Sequence, residues 1–359
     1  MDQLNEQQVL QALRQVADPD SGNDIVSLGM VRNLVVGGGL VSFGVVLRNP
    51  AAKDAIEQGA RAEVSKLPGV REVQVRFEQP AAPGPGVRGQ PQRTPIPGVK
   101  SLIAVASGKG GVGKTTVAVN LAVALGRMGH AVGLMDADVY GPNVPRMMGT
   151  EDTPRAQGER IIPLENYGVR MMSMGFLNPG DRPLIWRGPM LHSVIQQFIR
   201  NVEWGELDYL VVDLPPGTGD VQLTLLQTVP ITGAVVVTTP SDVSLEDARK
   251  AIEMFRQVKA EILGVVENMS YFICPHCSKQ VDVFSHGGGE RTAKQYGVPF
   301  LGHLPLDPEV RIGGDTGVPV AVRGPDSPQA QPFYSIARLV EARVQEAGGA
   351  SEPVIRIRD

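Results

Sequence analysis

The short apolar run Leu102–Ala106 passes directly into Ser107-Gly-Lys-Gly-Gly-Val-Gly-Lys-Thr-Thr116, and this junction constrains the fold more than any other stretch of the chain. Residues Gly108 to Thr115 fit the pattern G-x-x-x-x-G-K-T. Such a loop works only between a strand and a helix. Its glycines let the backbone N–H groups turn inward onto phosphate oxygens, and the helix that follows adds the positive end of its dipole. Both neighbours are legible: apolar residues before the loop, and helical periodicity over Thr116–Arg127 after it. Further apolar runs, Ala131–Met135, Tyr209–Val212, Ala234–Thr238 and Ile262–Val266, alternate with helical stretches such as Leu245–Val258. That alternation predicts an α/β fold with a doubly wound, mostly parallel sheet, whose ligands bind beyond the carboxyl ends of the strands.

The phosphate-binding set follows from the loop. Gly108, Lys109, Gly110, Gly111, Val112, Gly113, Lys114, Thr115 and Thr116 form the nucleotide cradle. Lys114 is expected to reach the β- and γ-phosphates of ATP, and Thr115 to hold Mg2+. Asp213, after the apolar strand Leu210–Val212, fits the Walker-B role on Mg2+ through water. Pro215-Pro-Gly-Thr-Gly219 fits a switch that senses the γ-phosphate. Asp138, in Met135-Asp-Ala-Asp138, is placed to orient the attacking water; the bland alternative is a turn or helix cap. Lys109 is unusual at the start of a P-loop. It is either a solvated lysine or a charge aimed at phosphate, in the manner of an arginine finger from a facing subunit.

Composition divides the chain. Residues 79–98, QPAAPGPGVRGQPQRTPIPG, hold no apolar period and read as a semi-rigid linker. Before it, residues 1–78 predict a small α+β domain: helix Leu4–Val16, strands Val31–Val36 and Leu40–Leu47 joined at Gly37–Gly39, helix Ala51–Leu67, strand Val70–Phe77. After it, residues 99–359 form the P-loop domain. A chain of 359 residues is too long for one ordinary core. The net charge of −4 and the lack of a dense Lys/Arg run argue against nucleic acid as a partner. No apolar run is long enough for a membrane span, and the polar, acidic start is unlike a secretory signal. With only two cysteines there is no disulfide framework, so the reducing cytoplasm is the expected compartment.

The loop resembles the deviant Walker A of the SIMIBI-class dimeric ATPases, which include MinD, ParA, the nitrogenase iron protein and the Mrp/ApbC group. Asp136-Ala-Asp-Val-Tyr-Gly-Pro-Asn-Val-Pro-Arg146, Asp213-Leu-Pro-Pro-Gly-Thr-Gly-Asp220, Glu267-Asn-Met-Ser-Tyr271, Cys274-Pro-His-Cys277, Gly287-Gly-Gly-Glu-Arg291 and Leu304-Pro-Leu-Asp-Pro308 narrow the likeness to the Mrp/ApbC iron–sulfur cluster carriers. The N-terminal part resembles the small iron–sulfur assembly domain often fused ahead of this ATPase. The resemblance implies a homodimer, with Lys109 acting in trans and Lys114, Thr115 and Asp213 holding Mg-ATP. It also implies that Asn268 contacts adenine and that Pro305 and Asp307 line the base pocket. It implies cluster transfer to apoproteins and contact with assembly scaffold proteins. The chain departs from the pattern at Asn49-Pro-Ala-Ala-Lys53, where relatives carry a cysteine in a similar turn.

Cys274 and Cys277, in Tyr271-Phe-Ile-Cys-Pro-His-Cys-Ser-Lys-Gln280, pose a counting problem, because a thiolate-held metal usually takes four protein ligands. Four readings compete: a zinc site completed by a residue such as His286, a redox dithiol, idle surface thiols, or a 4Fe–4S cluster bridged between two copies of the chain. Bridging uses one two-fold axis to supply both the missing thiolates and the partner that Lys109 needs. Two functions from other classes stand as alternatives: a MinD/ParA-like positioning ATPase and a zinc-bridged dimeric scaffold. The first would call for a membrane-binding amphipathic tail or a basic DNA surface. The helix expected at Phe333–Ala347, with Phe333, Ile336, Leu339, Val340 and Val344 on one face, reads better as packing on the sheet.

Overall fold

A computed structural model of the chain describes residues 6–19, 22–28, 30–37, 40–47, 52–78, 93–139, 141–150, 152–177, 188–217 and 219–349. It divides into two compact units, Met1–Gly89 and Gln90–Asp359.

The first unit runs α1 (Glu6–Leu13), β1 (Val31–Gly37), β2 (Leu40–Val46), α2 (Lys53–Ser65) and β3 (Glu72–Glu78). Strands β1 and β2 pair antiparallel, and β3 joins β2 in parallel. The expected order of elements is therefore present. Gly38 and Gly39 of the expected turn, and Asn49 to Ala51, lie outside the described residues. Helix α2 buries Ile56, Ala60 and Val64, a four-residue spacing that lays one stripe on the sheet. Val41, Phe43 and Val45 of β2 meet it by strand alternation. Helix α1 stops short of the expected Val16: the Gln15 and Val16 amides tighten onto carbonyls three residues back, Ala12 O (3.0 Å) and Leu13 O (3.1 Å), and the Val16 carbonyl accepts the Ile25 amide (3.0 Å) beside an antiparallel bridge between Ala17 and Asp24.

The second unit carries β4 (Val99–Ala106), α3 (Lys114–Arg127), β5 (Val132–Asp136), α4 (Val144–Met147), a hairpin of β6 (Arg155–Gln157) and β7 (Arg160–Ile162), β8 (Leu164–Asn166), β9 (Val169–Ser173), α5 (Gly188–Arg200), β10 (Leu207–Asp213), α6 (Asp220–Thr228), β11 (Gly233–Thr238), α7 (Asp242–Gln257) and β12 (Ile262–Glu267). A second small hairpin, β13 (Phe272–Ile273) and β14 (Gln280–Val281), precedes α8 (Gly288–Tyr296), β15 (Phe300–His303), α9 (Pro308–Thr316) and α10 (Gln331–Gly349). The eight-stranded sheet has the order β15-β12-β11-β4-β10-β5-β9-β8, with only β8 antiparallel. Every residue of β5, β11 and β12 is buried, as expected for parallel strands covered on both faces.

Two features differ from expectation. Residues 93–98, expected at the end of the linker, pack on the second unit: Ile96 is buried, the Thr94 amide donates to Thr228 O (3.1 Å) and the Arg93 guanidinium to Val258 O (2.9 Å). The rest of the expected linker, 79–92, and the tail 351–359 lie outside the described residues. In α10, Phe333, Ile336, Val340 and Val344 are buried, but Leu339 points to solvent. It sits about 100° from Val340 around the helix, off the apolar stripe. Among the described residues no helix is long and apolar enough to cross a membrane.

Candidate nucleotide site and cysteine hairpin

The carboxyl ends of β4, β10 and β5 lie side by side, and strand register decides what meets there. Asp213, the last residue of β10, is opposite Val105 of β4 and Asp136 of β5. The P-loop leaves β4 and turns back over this point. Lys114, the first residue of α3, is buried and places Nζ 2.7 Å from Asp213 Oδ1 and 3.5 Å from Asp138 Oδ2. Thr115 Oγ1 donates to the other Asp213 oxygen at 2.7 Å. Asp138 also accepts from the Gly141 amide (3.3 Å), so its carboxylate both closes a turn and faces Lys114.

The loop glycines are required for two different reasons. A Cβ on Gly108 would meet the backbone of Asp247 in α7 at 2.1 Å, so the loop can lie on that helix only without a side chain. Gly113 has φ +81, the left-handed region, and its missing Cβ leaves room for the Asn268 amide. Asn268 Nδ2 donates to Val112 O at 2.8 Å, tying the P-loop to the end of β12. Gly108 and Val112 therefore shape the loop, while Lys109, Gly110, Gly111, Gly113, Lys114, Thr115 and Thr116 line a cleft of about 730 Å³. Asp138, Asn268, Pro305 and Asp307 line it too. Asp307 is at the same time the N-cap of α9, accepting the Glu309 amide at 2.7 Å. In the expected switch, Gly217 N donates to Ser107 O (2.9 Å); Thr218 lies outside the described residues.

Charge immediately around Lys114 is unbalanced. Asp136, Asp138 and Asp213 crowd around Lys114. Burial, then repulsion from Asp213, pushes the Asp136 carboxyl up to about 8, against pulls from the Ser173 hydroxyl, Lys114 and the Asp138 amide. Burial also raises Asp213, although Lys114 and Thr115 pull it down. Mg2+ fits this surplus of carboxylate, with Thr115 and Asp213 as the residues that would hold it. The backbone turn and Lys114 fit a phosphate chain.

The cysteines sit elsewhere. Cys274 and Cys277 occupy the turn between β13 and β14, not the start of a helix, so the setting is not that of a thioredoxin-like dithiol. Ser278 N donates to Cys274 O (2.8 Å) and Cys274 N to Lys279 O (3.0 Å), closing the turn. The amides of His276 and Cys277, with the Cys277 thiol, hold the Cys274 thiol below its ordinary range, favouring thiolate. Cys277 is exposed. So are Ile273, Val281, Val283 and Phe284 around it. His286 does not join the cysteines: among the described residues, the one group of at least three His, Cys, Asp or Glu side chains able to share an ion is Glu267, His286 and His303.

Comparison with known proteins fits both units. A family model described as NUBPL iron-transfer P-loop NTPase matches residues 98–341, and one described as iron-sulfur cluster assembly protein matches residues 6–76. The chain belongs to the NUBPL iron-transfer P-loop NTPase family. Within that similarity, an iron-sulfur cluster carrier protein of Synechocystis sp. is 49% identical over 349 residues, covering 94% of this chain and 98% of the relative. A nucleotide-binding protein of Archaeoglobus fulgidus, solved in complex with ADP, superposes with a TM-score of 0.56 at 39% identity, covering 64% of this chain and 90% of that one. The cell division ATPase MinD of Pyrococcus furiosus gives a TM-score of 0.51 at 26% identity, covering 67% and 98%.

In this NUBPL-family NTPase the motif residues gather as the sequence implied, but sequence reasoning assigned no role to Asp136, Ser173 or Arg146. Ser173, the last residue of β9, donates to Asp136 Oδ2 at 2.8 Å. The pairing of Asp136 with Asp213 depends on strand order, which no local motif carries. Asp136 had one signal, its place at the end of an apolar strand beside Asp138. Arg146 lines the cleft from α4, and nothing in its spacing from the P-loop pointed there.

Proposed function

We propose that this chain is an ATP-dependent iron–sulfur cluster carrier that holds a 4Fe–4S cluster between two copies of itself and delivers it to apoproteins. The observation that carries the reading is the cysteine hairpin: an exposed turn with only two thiols, one of them favouring thiolate, and no third ligand from its own chain among the described residues. A second copy supplies the other two thiolates. The exposed Ile273, Val281, Val283 and Phe284 give that copy an apolar surface to meet. A cluster held by two ligands per chain at an open surface is easily surrendered, which suits cargo.

At the other site, the P-loop amides and Lys114 bind the phosphates, and Thr115 and Asp213 hold Mg2+. The ion, when bound, offsets charge that develops on the phosphate oxygens. Asp138, already facing Lys114, orients water for attack. Lys109 reaches across the dimer to phosphate on the partner. Asn268, Pro305 and Asp307 surround the base. In the first unit, Ala52 is buried in the turn where the family resemblance implies a cysteine, so that unit recruits a client or a scaffold protein and supplies no cluster ligand.

The test is anaerobic reconstitution with iron and sulfide, followed by sedimentation. One 4Fe–4S unit per dimer, absent from the monomer fraction, is the expected result. A cluster-loaded monomer, or stoichiometric zinc with no iron after iron-replete anaerobic expression, would overturn the reading.

A further inference from the structure

The carboxyl edge of the sheet holds a second polar cluster, on β12 and β15. Glu267 ends β12 and is fully buried, and its register partner on β15 is His303. His286 arrives from the chain just after the cysteine hairpin. Glu267 Oε1 accepts from the Ser270 hydroxyl (2.6 Å) and the Gly287 amide (2.8 Å), and Oε2 accepts from the Gly289 amide. Both oxygens of this carboxyl group are thus sealed from solvent and held by donors of its own chain. Two imidazoles face it: His303 Nδ1 at 3.2 Å from Oε1 and His286 Nδ1 at 4.0 Å, with the rings stacked at 4.5 Å. The Ser270 hydroxyl sits among all three, 2.8 Å from His286 Nδ1 and 3.0 Å from His303 Nδ1.

We propose that Glu267, His286 and His303 bind one divalent transition-metal ion, Zn2+ or Fe2+, at the root of the cysteine hairpin. One carboxylate with two imidazoles is a donor set of borderline ions. Mg2+ and Ca2+ prefer all-oxygen shells, and a soft ion would choose the thiolates. The three donor atoms already lie within 4.8 Å of one another. Tetrahedral donors about 2.1 Å from an ion are roughly 3.4 Å apart, so shifts of an ångström or less bring them to bonding distance. The Ser270 hydroxyl then turns aside or becomes a fourth ligand. Entry is open on the imidazole side, since the His286 side chain is 37% and that of His303 24% exposed while Glu267 is sealed. Without an ion, His303 Nδ1 faces Glu267 Oε1 (3.2 Å) and Ser270 Oγ (3.0 Å), so an entering ion takes the place of the proton that Nδ1 shares with them.

The consequence is mechanical. Residues 267–270 lead into the hairpin and His286 leads out, so a bound ion ties both its ends to β15. Asn268, next to Glu267, holds the P-loop through Val112 O. The ion would stiffen the chain segment that runs from the nucleotide cleft into the cysteine hairpin. This site does not depend on the cluster reading and would stand if the hairpin carried no cluster.

The test uses the full-length, untagged chain with Cys274→Ser and Cys277→Ser, stripped with a chelator, so that no thiolate competes. Titration with Co2+ as the optical probe should saturate at one ion per chain. The visible d–d bands should be those of a four- or five-coordinate nitrogen and oxygen shell, without sulfur charge transfer. Zn2+ should displace Co2+, whereas a hundredfold excess of Mg2+ should not, and anaerobic Fe2+ tells whether iron also enters. His286→Gln and His303→Gln should each weaken Co2+ binding more than tenfold, with unchanged ATP affinity reporting an intact fold. Absence of saturable Co2+ or Zn2+ binding, or binding that survives the double His→Gln variant, overturns the proposal and leaves a plain hydrogen-bonded network.

Discussion

The phosphate site and the cysteine hairpin lie in the same unit but are built in opposite ways. At the first, Lys114 and Asp213 have side chains only 6% and 0% exposed, held on a central strand and the first turn of a long buried helix. At the second, strands of two residues each carry an exposed turn with no share in the core. A phosphate site gains from dryness, because fixed charges act more strongly where water is excluded. A site that hands over its cargo loses by the same burial. The degree of enclosure thus measures how much of each site one chain supplies: nearly all of the nucleotide cradle, and half of the proposed cluster shell.

The sharpest way to break that comparison is to attack the half-site. Cys274→Ser or Cys277→Ser should each abolish cluster binding outright, because a hydroxyl is a poor substitute for a soft thiolate. ATP affinity should not change in either variant. Iron and sulfide analysis beside a nucleotide titration checks both halves. A cluster retained by either single variant would mean that a ligand comes from outside the hairpin.

The complete site should fail differently. Lys114→Ala should abolish hydrolysis and weaken phosphate binding. It also strips the one cation that, among the described residues, lies at hydrogen-bonding distance from Asp213, so stability should fall by about 3 kcal/mol, less where Asp213 can take up a proton. Lys109→Ala should cost roughly 10²-fold in hydrolysis while sparing much of the binding. Lys109 packs only half-buried at the mouth of the cleft, and its charge is proposed to act on the partner's phosphate. Mixing Lys109→Ala with Asp213→Ala chains should then give heterodimers of altered activity. Strictly additive rates at every mixing ratio would point to a site contained in one chain.

The Asp136–Asp213 pairing offers a pH test of the enclosed site. Asp136 is raised from 3.8 to about 8 in the folded chain, so folding retains a proton that the unfolded chain releases. The stability this contributes is present at low pH and is lost as pH rises toward 8. In nucleotide-free protein the loss should reach about 1.4 kcal/mol per pH unit between roughly pH 5 and 7, then level off. Other groups titrate too, so the difference between parent and Asp136→Asn isolates this one. Melting temperatures across that range should converge for the two proteins at low pH and part at high pH. Parallel curves would show that Asp136 ionises normally in the fold.

How much could be read in advance tracks chain distance. The P-loop and the Asp213 strand are contiguous motifs set in apolar runs, and they appear where expected, with β4, β10 and α3 only extended by a few residues. Edge strand β8 and its neighbour β9 carry no signal that the sequence reading uses: β8 is the three residues Leu-Glu-Asn, too short and polar for a periodic pattern. Asp136 became notable only once β5 was known to neighbour β10. The Glu267, His286 and His303 cluster is assembled from a strand end, a loop and another strand end, and no local pattern announces it. Helical spacing expects Leu339 on the buried face of α10, because a short helical window tolerates one extra apolar residue, and packing excludes it.

The smallest expected effect concerns the apolar fringe of the hairpin. Ile273, Val281, Val283 and Phe284 are 46%, 49%, 50% and 46% exposed, unusual for side chains of this kind gathered within twelve residues. If the hairpin meets a second copy, burying such a side chain contributes on the order of 1 kcal/mol for each chain, since each is already partly covered. Ile273→Ser or Phe284→Ser should therefore weaken the cluster-bound dimer about thirtyfold, because a two-fold axis counts each change twice. Sedimentation across a concentration series reads the shift. The cysteines are untouched, so the cluster that does form should keep its optical spectrum. A dimer unmoved by either change would mean that the copies meet through other surfaces and that the fringe serves the receiving apoprotein instead, in which case transfer rate, not dimer affinity, should fall.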